Sequence, residues 1–170
     1  RPIPRGKLNR NQALLFGTSL SIFSVVSLYY FTNALSAFLL FFTIFFYLFV
    51  YTIWLKRRTP QNIVIGGASG ALPPVIGWTI ATNSLGIESL VFFLIIFLWT
   101  PSHFWALSLY KSEDYKKAKI PMLPVIAGEK TTKINILIYS LLMLPIVIAP
   151  FIFNFASLFY LSATLLMTLY

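Results

Sequence analysis

The sequence is 170 residues long, 58% hydrophobic and 10% charged, with thirteen basic residues, four acidic ones and a net charge of +9. A soluble domain with a polar surface does not reach that balance, so the chain reads as one that sits in lipid. With no cysteine, disulfides, thiolate metal sites and cysteine nucleophiles are all excluded.

Crossing a hydrocarbon layer of about 30 Å takes about 20 mostly apolar residues in a helix. Six runs of that kind lie at 13–31, 35–55, 62–82, 88–110, 134–153 and 156–170, joined by short breaks. The fold class they predict is all-α, a polytopic transmembrane helix bundle. The run LSAFLLFFTIFFYLFV carries no polar stripe at helical spacing, which a buried helix of a soluble bundle would show. Basic residues set the orientation. Arg1, Arg5, Lys7 and Arg10 precede the first run; Lys56, Arg57 and Arg58 follow the second; Lys111, Lys116, Lys117, Lys119, Lys130 and Lys133 lie between the fourth and fifth. The connections at 32–34, 83–87 and 154–155 hold no Lys or Arg. Strict alternation therefore puts every basic loop on the cytoplasmic or matrix side of a bacterial or mitochondrial inner membrane. The charges flank spans and form no continuous patch, which argues against a nucleic-acid partner and makes the lipid bilayer the partner they imply. The chain opens on Arg1 without an initiator Met and stops inside its last apolar run, so it reads as a segment of a longer protein.

The third run, NIVIGGASGALPPVIGWTIAT, is unlike its neighbours. Gly66 with Gly70 and Gly67 with Ala71 make a small-residue face suited to close helix packing. Pro73 and Pro74 then free backbone carbonyls that need a partner or a water-lined cavity. Pro101 interrupts the fourth run beside Thr100, Ser102 and His103, so both broken helices are expected to line one cavity. His103 is the only histidine and lies seven residues before Tyr110, about 10 Å inside the helix end. It reads either as a neutral imidazole bonded to a neighbouring helix, or as a heme-iron ligand or proton acceptor. The segment 111–133 is the longest connection and holds Glu113, Asp114 and Glu129, yet its middle is apolar around two prolines. It is expected to fold back as a lid over the bundle, or to rest on the membrane surface.

One His and one Asp leave no nucleophilic triad, and no carboxylate pair suits glycoside chemistry. What remains is cations beside an acid at the mouth of an aromatic-rich bundle, a setting for an anionic head group on a long apolar tail. A lipid diphosphate fits, with its phosphates among Lys56, Arg57 and the loop lysines and Mg²⁺ bridging to Asp114. Cleavage of an allylic diphosphate builds negative charge on the leaving group and positive charge on carbon, and cations and aromatic faces stabilise the two.

Four strings, RPIPRG at 1–6, YTIWLKRRTPQNIVIGGASGALPPVIGW at 51–78, WTPSHFWALSLY at 99–110 and DYKKAKIPMLPVIAG at 114–128, together resemble the protoheme IX farnesyltransferase (heme O synthase) branch of the UbiA prenyltransferase superfamily. The resemblance implies a nine-helix bundle, of which six are present, around a central cavity where farnesyl diphosphate alkylates a vinyl group of heme B. It implies Mg²⁺ and two acidic motifs. Asp114 and Tyr115 match the second, although Ala118 stands where superfamily relatives have its second Asp. The first motif normally stands just upstream of RPIPRG, before Arg1, so this chain alone is expected to be inactive. By the same resemblance Tyr51 and Lys56 serve the diphosphate as catalytic residues, Arg57 and Lys111 assist, Asn62 reaches the same pocket or caps a helix, Asp114 holds the metal, and His103 ligates heme. Heme A synthase or oxidase assembly factors are the further partners it suggests. The rival readings are a UbiA-type enzyme acting on a quinone or chlorophyll-like acceptor, and a membrane transporter or heme-handling protein.

Overall fold

The computed structural model describes residue 6 and residues 8–169. Arg1, Arg5, Lys7 and the RPIPRG string except Gly6 lie outside the described residues, as does Tyr170.

Among the described residues every regular element is a helix. Asn9 opens α1 (Arg10–Phe31) with a reciprocal cap: its side chain accepts the Asn11 N–H at 3.2 Å, and Gln12 Oε1 accepts the Asn9 N–H at 3.2 Å. Asn33 caps α2 (Ala34–Phe45) with its side chain alone, accepting the Ser36 N–H at 2.8 Å. From Phe46 to Leu55 the same rod continues as a π-helix. Its hydrogen bonds reach one residue further, as in Lys56 N–H to the Tyr51 carbonyl at 2.8 Å. Ten π-helical residues are unusual, since π turns mostly occur singly and often at functional sites.

The third run forms α3 (Asn62–Ala71) and α4 (Pro73–Thr82), parted at Leu72. Pro73 and Pro74 have no N–H to give, so the carbonyls of Ser69 and Gly70 lose their helical donors there. After a turn through Asn83 at φ 52°, α5 (Ile87–Tyr110) runs the height of the bundle with Pro101 inside it. It is the central rod, packing on α3, α4, α6 (Ser112–Lys117) and α7 (Leu123–Ile152), while α1 leans on α2 and α8 (Leu158–Leu169) on α7. The tightest burial follows from that arrangement: Trp105 and Ser108 of α5 and Thr79 of α4 are fully enclosed, whereas α1 has no buried residue. Phe16, Phe23, Tyr30, Phe31 and Phe159 instead face outward, as they do when the surrounding medium is lipid.

Five helical rods, Arg10–Phe31, Ala34–Leu55, Asn62–Thr82, Ile87–Tyr110 and Leu123–Ile152, are long and apolar enough to cross a membrane. The sixth run holds α8, whose 12 residues span about 18 Å at 1.5 Å per residue. The fifth departs from expectation, because helix begins at Leu123 rather than at 134. Gly128, at φ 82° and ψ 171°, breaks this rod in a conformation that favours glycine, leaving a short N-terminal piece ahead of the long span. So the segment expected as one connection is mostly helical, and Met122 and Leu123 between its two pieces are buried.

Candidate active site

The site grows from the turn after the π-helix. Lys56 and Thr59 turn the chain, and the buried Asn62 side-chain amide staples that turn by donating to the Lys56 carbonyl at 3.3 Å and the Thr59 carbonyl at 2.8 Å. Lys56 Nζ returns over the Tyr51 ring, 5.6 Å from its centroid, within cation–π range. Tyr47, one turn earlier, lies 5.3 Å from Tyr51, ring centre to ring centre.

Beneath these two tyrosines is a cavity of about 640 Å³. One wall is α2 and its π-helical continuation, through Thr43, Tyr47 and Tyr51; the facing walls are α3, through Gly66, Gly67 and Gly70, and α5, through Trp99, Thr100 and Phe104. The glycine face of α3 therefore divides its work. A methyl at Gly67 would stand 3.1 Å from Thr100 Cγ2, the close packing expected of a small-residue face, whereas at Gly70 it would meet nothing within 4 Å. Gly70 opens onto the cavity, and its carbonyl is one of the two freed by the proline pair. Both proline-bearing rods line this space, but only the third run is broken: α5 continues as one helix through Pro101, against expectation. A second, drier hollow of about 250 Å³ continues from it between α1 and α2, sharing Ser21, Ile44 and Leu48 and ending among Phe41, Phe45 and Phe49.

The other residues singled out by the sequence take different places. Arg57 and Lys111 are exposed. Asp114 is exposed in the first turn of α6, where its backbone N–H bonds to the Lys111 carbonyl at 3.1 Å. Its neighbour Tyr115 comes within electrostatic reach of Tyr51, which brings α6 to the same end of the bundle as the cavity mouth. Asn62 does not line the cavity and is not the N-cap of α3, a place held by Gln61; its amide is spent on the turn, and this corrects both sequence readings of it. His103 is not buried against a neighbouring helix as its depth suggested. It stacks flat on the cavity-lining Trp99, ring centres 4.3 Å apart and planes 17° apart, with Phe104 edge-on at 5.4 Å. Tyr47, Trp99 and Phe104 were not singled out from the sequence, although Thr43, Tyr47 and Tyr51 share a four-residue spacing that puts them on one face.

Among the described residues there is no cluster of three metal-capable side chains. Asp114 offers one carboxylate, the fewest with which Mg²⁺ is ordinarily held beside substrate phosphates. The set fits a cation carried jointly with a diphosphate and does not fit a protein-enclosed one.

The entire chain, residues 1–170, matches the profile of the UbiA prenyltransferase family. The chain belongs to that family. It is 73% identical over 170 residues to a protoheme IX farnesyltransferase of Pelagibacter ubique (strain HTCC1062), an alignment covering 100% of this chain and 56% of that protein. It is 56% identical over 164 residues to a protoheme IX farnesyltransferase of Parvibaculum lavamentivorans, 96% of this chain and 52% of the relative. With protoheme IX farnesyltransferase 2 of Mesorhizobium japonicum it shares 55% over 169 residues, 99% and 54% of the two chains. The UbiA chain described here thus spans about half the length of the curated relatives it matches. No solved structure matches it.

Proposed function

We propose that this UbiA chain forms the diphosphate-holding half of a protoheme IX farnesyltransferase, which transfers a farnesyl group from farnesyl diphosphate to a vinyl group of heme B to give heme O. The observation that carries the reading is a polar mouth, Lys56 over Tyr51, set on a cavity that leads from hydroxyl-bearing walls into a hollow lined mostly by apolar side chains. That gradient matches a charged head on a prenyl tail. In this reading Lys56, with Arg57 and Lys111 nearby, neutralises the diphosphate as the allylic C–O bond breaks. Mg²⁺ bound to the diphosphate and to Asp114 would supply further charge neutralisation. The Tyr47, Tyr51, Trp99 and Phe104 rings stabilise the cationic carbon. The tail runs past Ile44 and Leu48 into the hollow between α1 and α2.

Heme B lies on the α5 side, where His103 is the proposed iron ligand. The basic loops face the cytoplasm or matrix, consistent with a water-borne diphosphate, and the membrane is a bacterial or mitochondrial inner membrane. The likeness to heme-branch relatives supports heme over a quinone or chlorophyll-like acceptor.

The test is a graft in which these 170 residues replace the matching segment of the Pelagibacter ubique relative. Membranes bearing it, given heme B, farnesyl diphosphate and Mg²⁺, are expected to form heme O, identified by mass. No product from a well-inserted graft, with product from the parent, sinks the reading. Product undiminished in His103→Ala sinks only the ligand role.

A further inference from the structure

The three glycines on the cavity side of α3 meet three different surroundings. Gly67 packs on Thr100, Gly70 faces open space, and Gly66 faces an aromatic ring. A Cβ at residue 66 would sit 2.5 Å from both Cδ2 and Cε2 of Tyr51, closer than carbon atoms approach without displacement. The obstacle is a side chain on a neighbouring rod, so the ring turns about its own bonds while both backbones stay. Lys56 follows it, because its ammonium rests over that ring.

We infer that Gly66 is a positioning residue for the Tyr51–Lys56 pair, its bare surface setting the tilt of the ring and thereby the place of the ammonium at the cavity mouth. Nothing in the sequence separates this role from that of Gly67, since both belong to one small-residue face. The consequence for substrate rests on the prenyl diphosphate reading above; the geometric consequence for Lys56 does not.

Two measurements on the Pelagibacter ubique graft keep these apart. The first is amine-selective acylation read by peptide mass, with the exposed Lys117 as internal reference. Gly66→Ala is expected to raise the relative labelling of Lys56 several-fold, and in a Tyr51→Ser background the same change is expected to do nothing. Unchanged labelling, or an equal rise without the tyrosine, overturns the inference. The second is steady-state kinetics. Gly66→Ala is expected to raise KM for farnesyl diphosphate on the order of tenfold with kcat nearly held, and to add nothing to Tyr51→Ser. Additive losses mean that Gly66 serves helix packing, and overturn the inference. Altered Lys56 labelling with an unaltered KM upholds the positioning and removes the diphosphate from Lys56, so the two failures are distinguishable.

Discussion

The two ends of the bundle use polar residues in opposite ways. At the end with the tight turns, Asn33 Nδ2 donates to the Thr79 carbonyl at 2.7 Å, and the buried Ser36 and Thr79 hydroxyls meet at 2.8 Å, with Asn33 Oδ1 accepting from the Ser36 hydroxyl at 2.9 Å. These groups are turned on one another, and α2 and α4 are locked together. At the basic end the backbone of the turn is stapled by Asn62, but the charged and phenolic groups that project from it are left for something else to meet. Lys56 touches a ring face, and Arg57, Lys111 and Asp114 face outward. A fold that satisfies one end and leaves the other unsatisfied holds its stability and its chemistry in separate places.

That separation breaks most sharply at Lys56. In the graft, Lys56→Ala is expected to lower kcat/KM for farnesyl diphosphate on the order of a hundredfold to a thousandfold, as loss of a single charge-stabilising donor does elsewhere. Among the described residues its ammonium meets the Tyr51 ring and no carboxylate, so resistance to denaturing detergent is expected to stay unchanged. A fall in both together would mean that the basic end is structural too. Gly70→Leu is the next largest effect. Open space lies where the new side chain would go, so the protein is expected to insert normally while the cavity shortens. The preference for farnesyl over geranyl diphosphate is expected to shift on the order of tenfold toward the shorter chain, measured by competition. No shift would place the tail elsewhere than beneath Gly70.

At the opposite end the sign reverses. Thr79→Val and Ser36→Ala each remove one side of the buried hydroxyl pair, and each is expected to cost about 0.6–1.7 kcal/mol of stability in a detergent-titration assay. KM and kcat at permissive temperature are expected to stay as they were. A changed KM would show that the lock at α4 reaches the cavity through Pro73 and Pro74.

Much of this division was legible before any coordinates. Apolar length gave the rods, because lipid leaves no other way to satisfy the backbone. The prolines at 73 and 74 announced where the third rod breaks, whereas Pro101 leaves α5 one continuous helix. Spacing did not announce how the second rod would change its winding. The π-helical turns from Phe46 to Leu55 come from no residue with special φ preference, yet they set the face on which Tyr47 and Tyr51 appear. The sequence reading of Asn62 failed for a local reason. An amide at a helix start serves as a cap or reaches a pocket, and only the turn geometry reveals carbonyls of Lys56 and Thr59 nearer than either. Of the two readings of His103, the one that buries it against a neighbouring helix fails, because depth along a helix says nothing of the direction a side chain faces. Gly128 was absorbed into a loop, although its backbone angles end one helical piece and begin the next.

The smallest expected effect sharpens the comparison from within the basic end itself. Residues 111–133 hold three acids of one charge, and composition treats them alike. Glu129 is spoken for, by an ion pair to Lys133 at 2.6 Å whose side chains are 69% and 63% exposed. A pair so open to water is screened and costs entropy to hold, so it adds little to stability. Among the described residues Asp114 has no ion pair, and it stands beside Tyr115 near the cavity mouth. Glu129→Gln is therefore expected to leave both the denaturation midpoint and heme O formation in the graft unchanged. Asp114→Asn is expected to depress heme O formation and to raise the Mg²⁺ concentration needed for half-maximal rate. Equal effects of the two substitutions would mean that the basic end responds only to net charge, and that the position of a carboxylate relative to Tyr51 carries no chemistry.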